Sequence, residues 1–202
     1  MTDPTSSLEV ERKYDVDDDT PLPDWSGLPG VVAVAEAEFR PLDAAYWDTA
    51  RLDLAEAGMA LRRRTGGPDA GWHLKGALVD GGRTELHWPL GDTPDVPAHV
   101  REALAQWTTQ PLLPLARIEN QRTAYALRDD AGRTVAEFVD DHVHATDLRT
   151  GAVRTWREWE IELSAAAPAD VDGFFAEVER AVRAAGARDA ASASKLARAL
   201  GH

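Results

Sequence analysis

The sequence predicts an α+β protein: an antiparallel sheet of about eight strands curled into a closed barrel, with helices packed on its outside. Three observations carry this expectation. Strand-like runs follow one another with turn signals between them, at Gly66-Gly67, Gly81-Gly82 and Thr150-Gly151, which is the pattern of antiparallel hairpins. The runs alternate, so that charge falls on one face and apolar side chains on the other. Beyond Pro168, by contrast, Val171, Phe174, Phe175, Val178 and Val182 recur at helical spacing, giving one apolar stripe that suits the outside of a sheet.

Taken in order, residues 8–16 read as a strand. In it Glu9, Glu11 and Lys13 share one face, with Val10 and Arg12 behind them. Carboxylates suit a hard divalent ion and an ammonium suits a phosphate, although the pentapeptide alone also fits a solvated edge strand. Asp17 to Pro29, rich in Asp, Pro and Gly, reads as a loop, and Val31 to Asp48 as extended chain. Thr49 is placed to cap a short helix over Ala50 to Ala57 that Gly58 ends. Strands follow at Met59 to Thr65, Gly71 to Leu78 and Arg83 to Leu90, then a helix around Ala98 to Trp107. Three longer strands are expected at Leu115 to Arg128, Thr134 to Thr146 and Arg154 to Leu163. The stripe from Val171 ends at Gly186, and Ser194 caps a last short helix to Leu200.

Composition narrows the function classes. With 202 residues the chain is long enough for one substantial domain, and no linker or internal repeat divides it. A formal net charge of -13 argues against a general binder of nucleic acid or of an anionic membrane. Any anion site must therefore be enclosed. The absence of cysteine excludes disulfides and thiolate zinc sites and fits a reducing compartment. No apolar run approaches the ~20 residues of a membrane span, and Met1 to Ser7 carry no secretory signal, so a cytoplasmic location is expected. Basic residues are nearly all arginine, the three lysines being Lys13, Lys75 and Lys195.

The alternation places Arg62 with Arg64, Lys75 opposite Trp72 and Leu74, Arg83 with Glu85, and Glu158, Glu160 and Glu162 opposite Trp159, Ile161 and Leu163. If such strands close on themselves, the charged faces line a continuous lumen. Cations facing one another there repel unless an anion and interleaved carboxylates offset them. A polyanion such as triphosphate suits that lumen.

These residues resemble the CYTH superfamily, the triphosphate tunnel metalloenzymes, over Leu8 to about Leu200. The landmarks occur in the family's order: Glu9-x-Glu11-x-Lys13, Tyr46-Trp47-Asp48-Thr49, Leu61-Arg62-Arg63-Arg64, Trp72-His73-Leu74-Lys75, Arg83-Thr84-Glu85, Arg122, Glu160-Ile161-Glu162 and Ser194-Lys195. Leu61 to Lys75 and Ser192 to Leu200 are most similar to the CYTH domains of bacterial CYTH-CHAD proteins. The resemblance implies that Lys13, Arg62, Arg64, Lys75, Arg83, Arg122 and Lys195 grip phosphate. It implies that Glu9, Glu11, Glu160 and Glu162 hold Mg²⁺ or Mn²⁺, with Asp141 or Asp140 as a further acid. Glu85 is assigned to the catalytic group, beside Glu9, Glu11 and Lys13, as a residue that holds the water or a neighbouring arginine. Family members often carry a second basic residue where this chain has Asn120, and Arg117 is a candidate substitute.

The resemblance implies a metal-dependent hydrolase of inorganic triphosphate, with a class IV adenylate cyclase and a non-catalytic polyphosphate or nucleotide-binding module as alternatives. The expected partner is a small-molecule triphosphate or polyphosphate, with no nucleic acid and no membrane. Other signals carry less. None of the histidines has zinc-hydrolase spacing, and there is no phosphate loop of the Gly-x-x-x-x-Gly-Lys type. His142 and His144 share a strand face, as surface residues or ligands. His73 shares the face of Lys75, which leaves contact with phosphate or base open.

Overall fold

Alternating sequence becomes strand over most of this chain. The structure, a computed structural model, describes residues 3–79, 82–192 and 194–202, with Leu78 and Val79 described by backbone alone. Gly81 of the expected Gly81-Gly82 turn lies outside the described residues. The strands are β1 (Thr5–Glu9), β2 (Glu11–Val16), β3 (Ala33–Val34), β4 (Glu38–Thr49), β5 (Ala60–Thr65), β6 (Gly71–Val79), β7 (Gly82–Pro89), β8 (Leu112–Arg128), β9 (Thr134–Asp147), β10 (Val153–Leu163) and β11 (Arg188–Asp189). The helices are α1 (Asp53–Glu56), α2 (Ala98–Leu104), α3 (Val171–Ala185) and α4 (Lys195–Ala199). None of them is long and apolar enough to cross a membrane.

The expected closed ring of eight strands is corrected. The described strands form one eleven-stranded antiparallel sheet in the order β1-β7-β6-β5-β4-β8-β9-β10-β2-β11, with β3 on β8, and no ladder joins its ends. The reason lies at Val10. The single N-terminal strand expected over residues 8–16 splits there, its first half pairing with β7 and its second with β10 and the two-residue β11. The Val10 carbonyl accepts from the Leu163 amide at 3.0 Å. Covalent continuity of the chain, and no hydrogen-bonded ladder, thus connects the two far sides of the sheet.

The apolar faces point away from the charged ones and are covered by helix. Phe174, Phe175, Val178 and Val182 of α3 pack on Tyr14, Val16, Phe138, Trp159 and Ile161. Leu54 of α1 and Val100 and Leu104 of α2 pack on Leu61, Trp72, Leu74 and Trp88. Contacts of this kind, which remove large aromatic and aliphatic surfaces from water, are the main force holding helix to sheet. A third cluster lies on the other face: Tyr46, Ile118, Val143 and Trp156 meet Ala199, with Leu196 and Leu200 packed against them. The helix α4 therefore fills one end of the concave face. What the sequence suggests as a continuous lumen is a cavity with a packed end.

Helix α1 begins later than Thr49 predicts. Asp48, buried at 3 % exposure, accepts from the amides of Thr49 at 2.7 Å and of Leu54 and Ala55 at 3.0 Å, while Thr49 Oγ1 accepts from Asp53 at 3.1 Å. The carboxylate satisfies the orphan donors of the first turn from outside it, so Leu52, at φ 63°, stands as N-cap without a side-chain bond. Gly58, at φ 72°, ends the segment as expected. Asp48→Ala leaves the buried amides of Thr49 and Leu54, and the part-buried amide of Ala55, without an acceptor. Urea unfolding should show a loss of roughly 2–4 kcal/mol; an unchanged midpoint would show that the carboxylate caps nothing.

Candidate functional site

The charged faces converge on a cavity of about 350 Å³. Eight cations and six carboxylates line it, in a chain whose net charge is -13. Alternation places them: Arg62 and Arg64 come from β5, Lys75 from β6, Arg83 from β7, Arg122 from β8, and Glu160 and Glu162 from β10. The split at Val10 puts Glu9 on the β7 side, in register with Arg83, and Glu11 and Lys13 on the β10 side, in register with Glu162 and Glu160. Lys195 enters from the first turn of α4, which Ser194 caps by accepting from Ala197 at 3.1 Å.

These charges pair into two groups. In the first, Lys13, Arg122 and Lys195 all reach Glu160, with Arg122 and Lys195 each at 2.8 Å. Arg122 also makes a bidentate pair with Asp141, at 2.8 and 2.7 Å, and Lys195 reaches Asp141 at 2.8 Å and Glu158 at 2.5 Å. Burial opposes ionisation of Glu160, but the three cations outweigh it and hold the carboxyl well below its usual range. In the second group Lys75 bridges Glu9 at 2.5 Å and Glu85 at 3.2 Å. Glu85 also faces Arg62 at 3.7 Å and His73 Nδ1 at 2.6 Å. Arg64 pairs with Asp69 of the β5–β6 turn. Burial, followed by the guanidiniums of Arg62 and Arg122, pulls Arg64 down to about 9.

One carboxylate is left over. Glu162 lines the cavity and has no hydrogen bond or ion pair among the described residues, and burial together with Glu9 and Glu11 pushes it up to about 7. A half-buried acid that also faces two other carboxylates is one whose ionised form a cation placed among them would stabilise. Glu9, Glu11 and Glu162 supply the hard oxygen donors that Mg²⁺ or Mn²⁺ takes, so the residues present fit such an ion. A second acidic cluster, Asp141, Glu158 and Glu160, has ligand oxygens within 4.8 Å of one another. Its centre is taken by the Lys195 ammonium, within 2.8 Å of all three carboxylates.

The seven cations expected to bind phosphate, Lys13, Arg62, Arg64, Lys75, Arg83, Arg122 and Lys195, all line the cavity, as do Glu9, Glu11, Glu160 and Glu162. Two expected residues stand behind it. Asp141 is fully buried under Arg122 and Lys195, and Glu85 lies under Arg62 and Lys75. Asp140 points to the opposite face, where it holds Arg157 and Trp159. His73 is 1 % exposed and is held between Glu85 and the Asp69 carbonyl, away from the cavity wall. His142 and His144 are half-exposed surface residues.

The suggested substitute Arg117 is corrected: it is half-exposed and engaged with Asp43 and Glu119 outside the cavity. Sequence reading missed Arg40, Asp69 and the wall position of Glu137, which also line it. The signal for Arg40 was its even spacing with Leu42, Ala44 and Tyr46, all on the same wall.

Residues 7–198 match the family model of the CYTH domain. Two uncharacterized proteins of Mycobacterium tuberculosis, from strains CDC 1551 / Oshkosh and H37Rv, are 40% identical over 210 residues, covering 98% of this chain. The chain spans about two fifths of their length, 41% in each case. Among solved structures, a candidate adenylate cyclase of Bacillus halodurans superposes with a TM-score of 0.62 at 18% identity, over 96% of this chain and 97% of its own. A candidate adenylyl cyclase from Hippeastrum, described as having a dominant triphosphatase activity, gives 0.56 at 17% identity, over 94% and 93%. At these identities the likeness concerns the fold.

The leftover acid generates a test by pH. Glu162 is raised in the folded chain from 4.5 to about 7, so folding costs nothing from this group at acid pH. The penalty appears above about 4.5 and is complete above about 7. Glu162→Gln removes it. Without divalent ions the variant should melt above the parent at pH 8 and together with it near pH 4.5; equal melting at both would show that Glu162 carries no such penalty.

Proposed function

The chain belongs to the CYTH domain family, and on that premise we propose that it is a divalent-metal-dependent phosphoanhydride hydrolase acting on inorganic triphosphate. The observation that carries this reading is the composition of the cavity: an excess of cations enclosed in an acidic chain, beside an acid, Glu162, that has no ion pair among the described residues. A polyanion answers the first and a divalent ion the second. The reading takes the chain as one functional unit and places it in the cytoplasm. It also keeps the likeness of Leu61 to Lys75 and Ser192 to Leu200 to the CYTH domains of CYTH-CHAD proteins as part of the proposal.

Each residue has a job under this reading. Lys13, Arg62, Arg64, Lys75, Arg83, Arg122 and Lys195 bind the phosphate oxygens, exchanging carboxylate partners for phosphate ones. Glu85 fixes Lys75 and Arg62 from behind and acts as a positioning residue. Glu9, Glu11 and Glu162 hold Mg²⁺ or Mn²⁺, with Glu160 next to them, and the ion supplies charge neutralisation and an acidified water. The packed end formed by Tyr46, Ile118 and α4 limits water to one side of the ligand. Cations arranged in advance around a transferring phosphoryl group stabilise the charge that develops on its oxygens and on the departing diphosphate.

One observation favours a second reading, an adenylate cyclase acting on ATP. Leu42, Ala44, Tyr46 and Ile118 give part of the wall an uncharged surface, and Asn120 beside them has a buried Oδ1 with no partner. A nucleoside fits such a wall better than a phosphate does. A binding module for polyphosphate or nucleotide uses the same cations without turnover.

Inorganic triphosphate, ATP and long-chain polyphosphate, each incubated with Mg²⁺ or Mn²⁺, separate the three. Orthophosphate released from triphosphate supports the hydrolase, cyclic AMP from ATP the cyclase, and binding without product the module. Glu11→Gln should lower triphosphate turnover by about a hundredfold or more while metal-free triphosphate binding stays or tightens. Unchanged turnover would remove Glu11 from the site.

A further inference from the structure

Building on the triphosphate reading, we propose that Arg40 is a further phosphate-binding residue, which carries a row of cations to the rim of the cavity and selects triphosphate over diphosphate. Arg40 lines the cavity, and in the β4–β8 ladder it stands in register with Arg122. Cross-strand partners project to the same side of a sheet, and like charges placed directly opposite are destabilising. Two guanidiniums in this arrangement gain from an anion shared between them.

The supports of Arg40 differ from those of its neighbour. Arg122 is pinned at depth by Asp141 and Glu160, both buried. Arg40 spans from Glu137, at 3.0 Å, to Glu38, at 2.6 Å, and the Glu38 side chain is 60% exposed. Its Nε is buried without a partner. An ion pair with an exposed carboxylate is worth little and yields to a phosphate, while Glu137 keeps the guanidinium aimed inward. Lys195 and Arg122 share Asp141 and Glu160, and Arg40 is the next cation beyond Arg122, so the three form one row. A short ligand is satisfied by the inner members of that row. A longer one reaches Arg40.

Calorimetric titration of inorganic triphosphate and of diphosphate into metal-free protein tests this. The parent should bind both. Arg40→Gln should weaken triphosphate by about tenfold or more, the loss of a charge-assisted contact, and diphosphate by less than about threefold. Arg40→Lys, which keeps the charge and loses the fork, should fall between parent and Arg40→Gln, and it carries the test if Arg40→Gln does not fold. Arg117→Gln, outside the cavity, should change neither. A triphosphate affinity within about twofold of the parent in Arg40→Gln, or equal losses for both ligands, overturns the role of Arg40 alone. A parent that binds neither anion overturns the functional reading as well.

Discussion

Three cations from three separate elements, Lys13 of β2, Arg122 of β8 and Lys195 of α4, converge on the carboxylate of Glu160. Buried charges are tolerable only when paired and hydrogen-bonded, and removing one partner strands the others. Glu160 therefore does more than neutralise. It ties the N-terminal strand, the middle of the sheet and the C-terminal helix to one point, and it fixes three cations in place before any ligand arrives. Asp141 repeats the arrangement one layer below, holding Arg122 by two parallel bonds and Lys195 by a third. The cavity cations are thus preorganised by acids that stand behind or among them, which lowers the cost of ordering them around any anion that enters.

The second constraint is the split at Val10. An uninterrupted strand would present Glu9, Glu11 and Lys13 as one stripe along a single ladder. Because the chain changes partners there, Glu9 joins Arg83 and Lys75, whereas Glu11 joins Glu162. Five residues from one short segment reach both far sides of the sheet, and the acids meet where the sides approach. Glu162 is the consequence. It is half-buried beside Glu9 and Glu11, which pair with Lys75 and Lys13, and has no ion pair of its own among the described residues, while the neighbouring acidic cluster is centred on Lys195. Of the two carboxylate groups, one has a single lysine within reach of all three acids and the other leaves Glu162 without an ion pair among the described residues.

Much of this was legible in the sequence because strand alternation assigns faces with a period of two. The parity of Arg62 and Arg64, of Lys75 and of Glu160 and Glu162 was enough to place them in the cavity. Depth was not legible. Glu85 and Asp141 share faces with wall residues but lie beneath them, and alternation carries no information on how far a side chain reaches. Nor was the change of partners at Val10, since an apolar residue in an alternating run looks the same whether the ladder continues or ends. Strands β3 and β11, two residues each, are too short to show a period. Helix α4 has an ordinary apolar stripe, and nothing local says that it packs in the concave face where α3 packs on the outer one. Arg40 was hidden because Pro41 and the exposed Glu38 obscure the start of its strand.

Under the proposed function the acids at the N-terminal split take a divalent ion while Lys195 holds the place between Asp141, Glu158 and Glu160. Crystals soaked with Mn²⁺ and a non-hydrolysable triphosphate analogue test it through the anomalous difference map. A manganese peak is expected among Glu9, Glu11 and Glu162, with phosphate density against Arg62, Arg64 and Lys75. A peak centred between Asp141, Glu158 and Glu160 with Lys195 displaced, or a cavity holding neither metal nor phosphate, would contradict it.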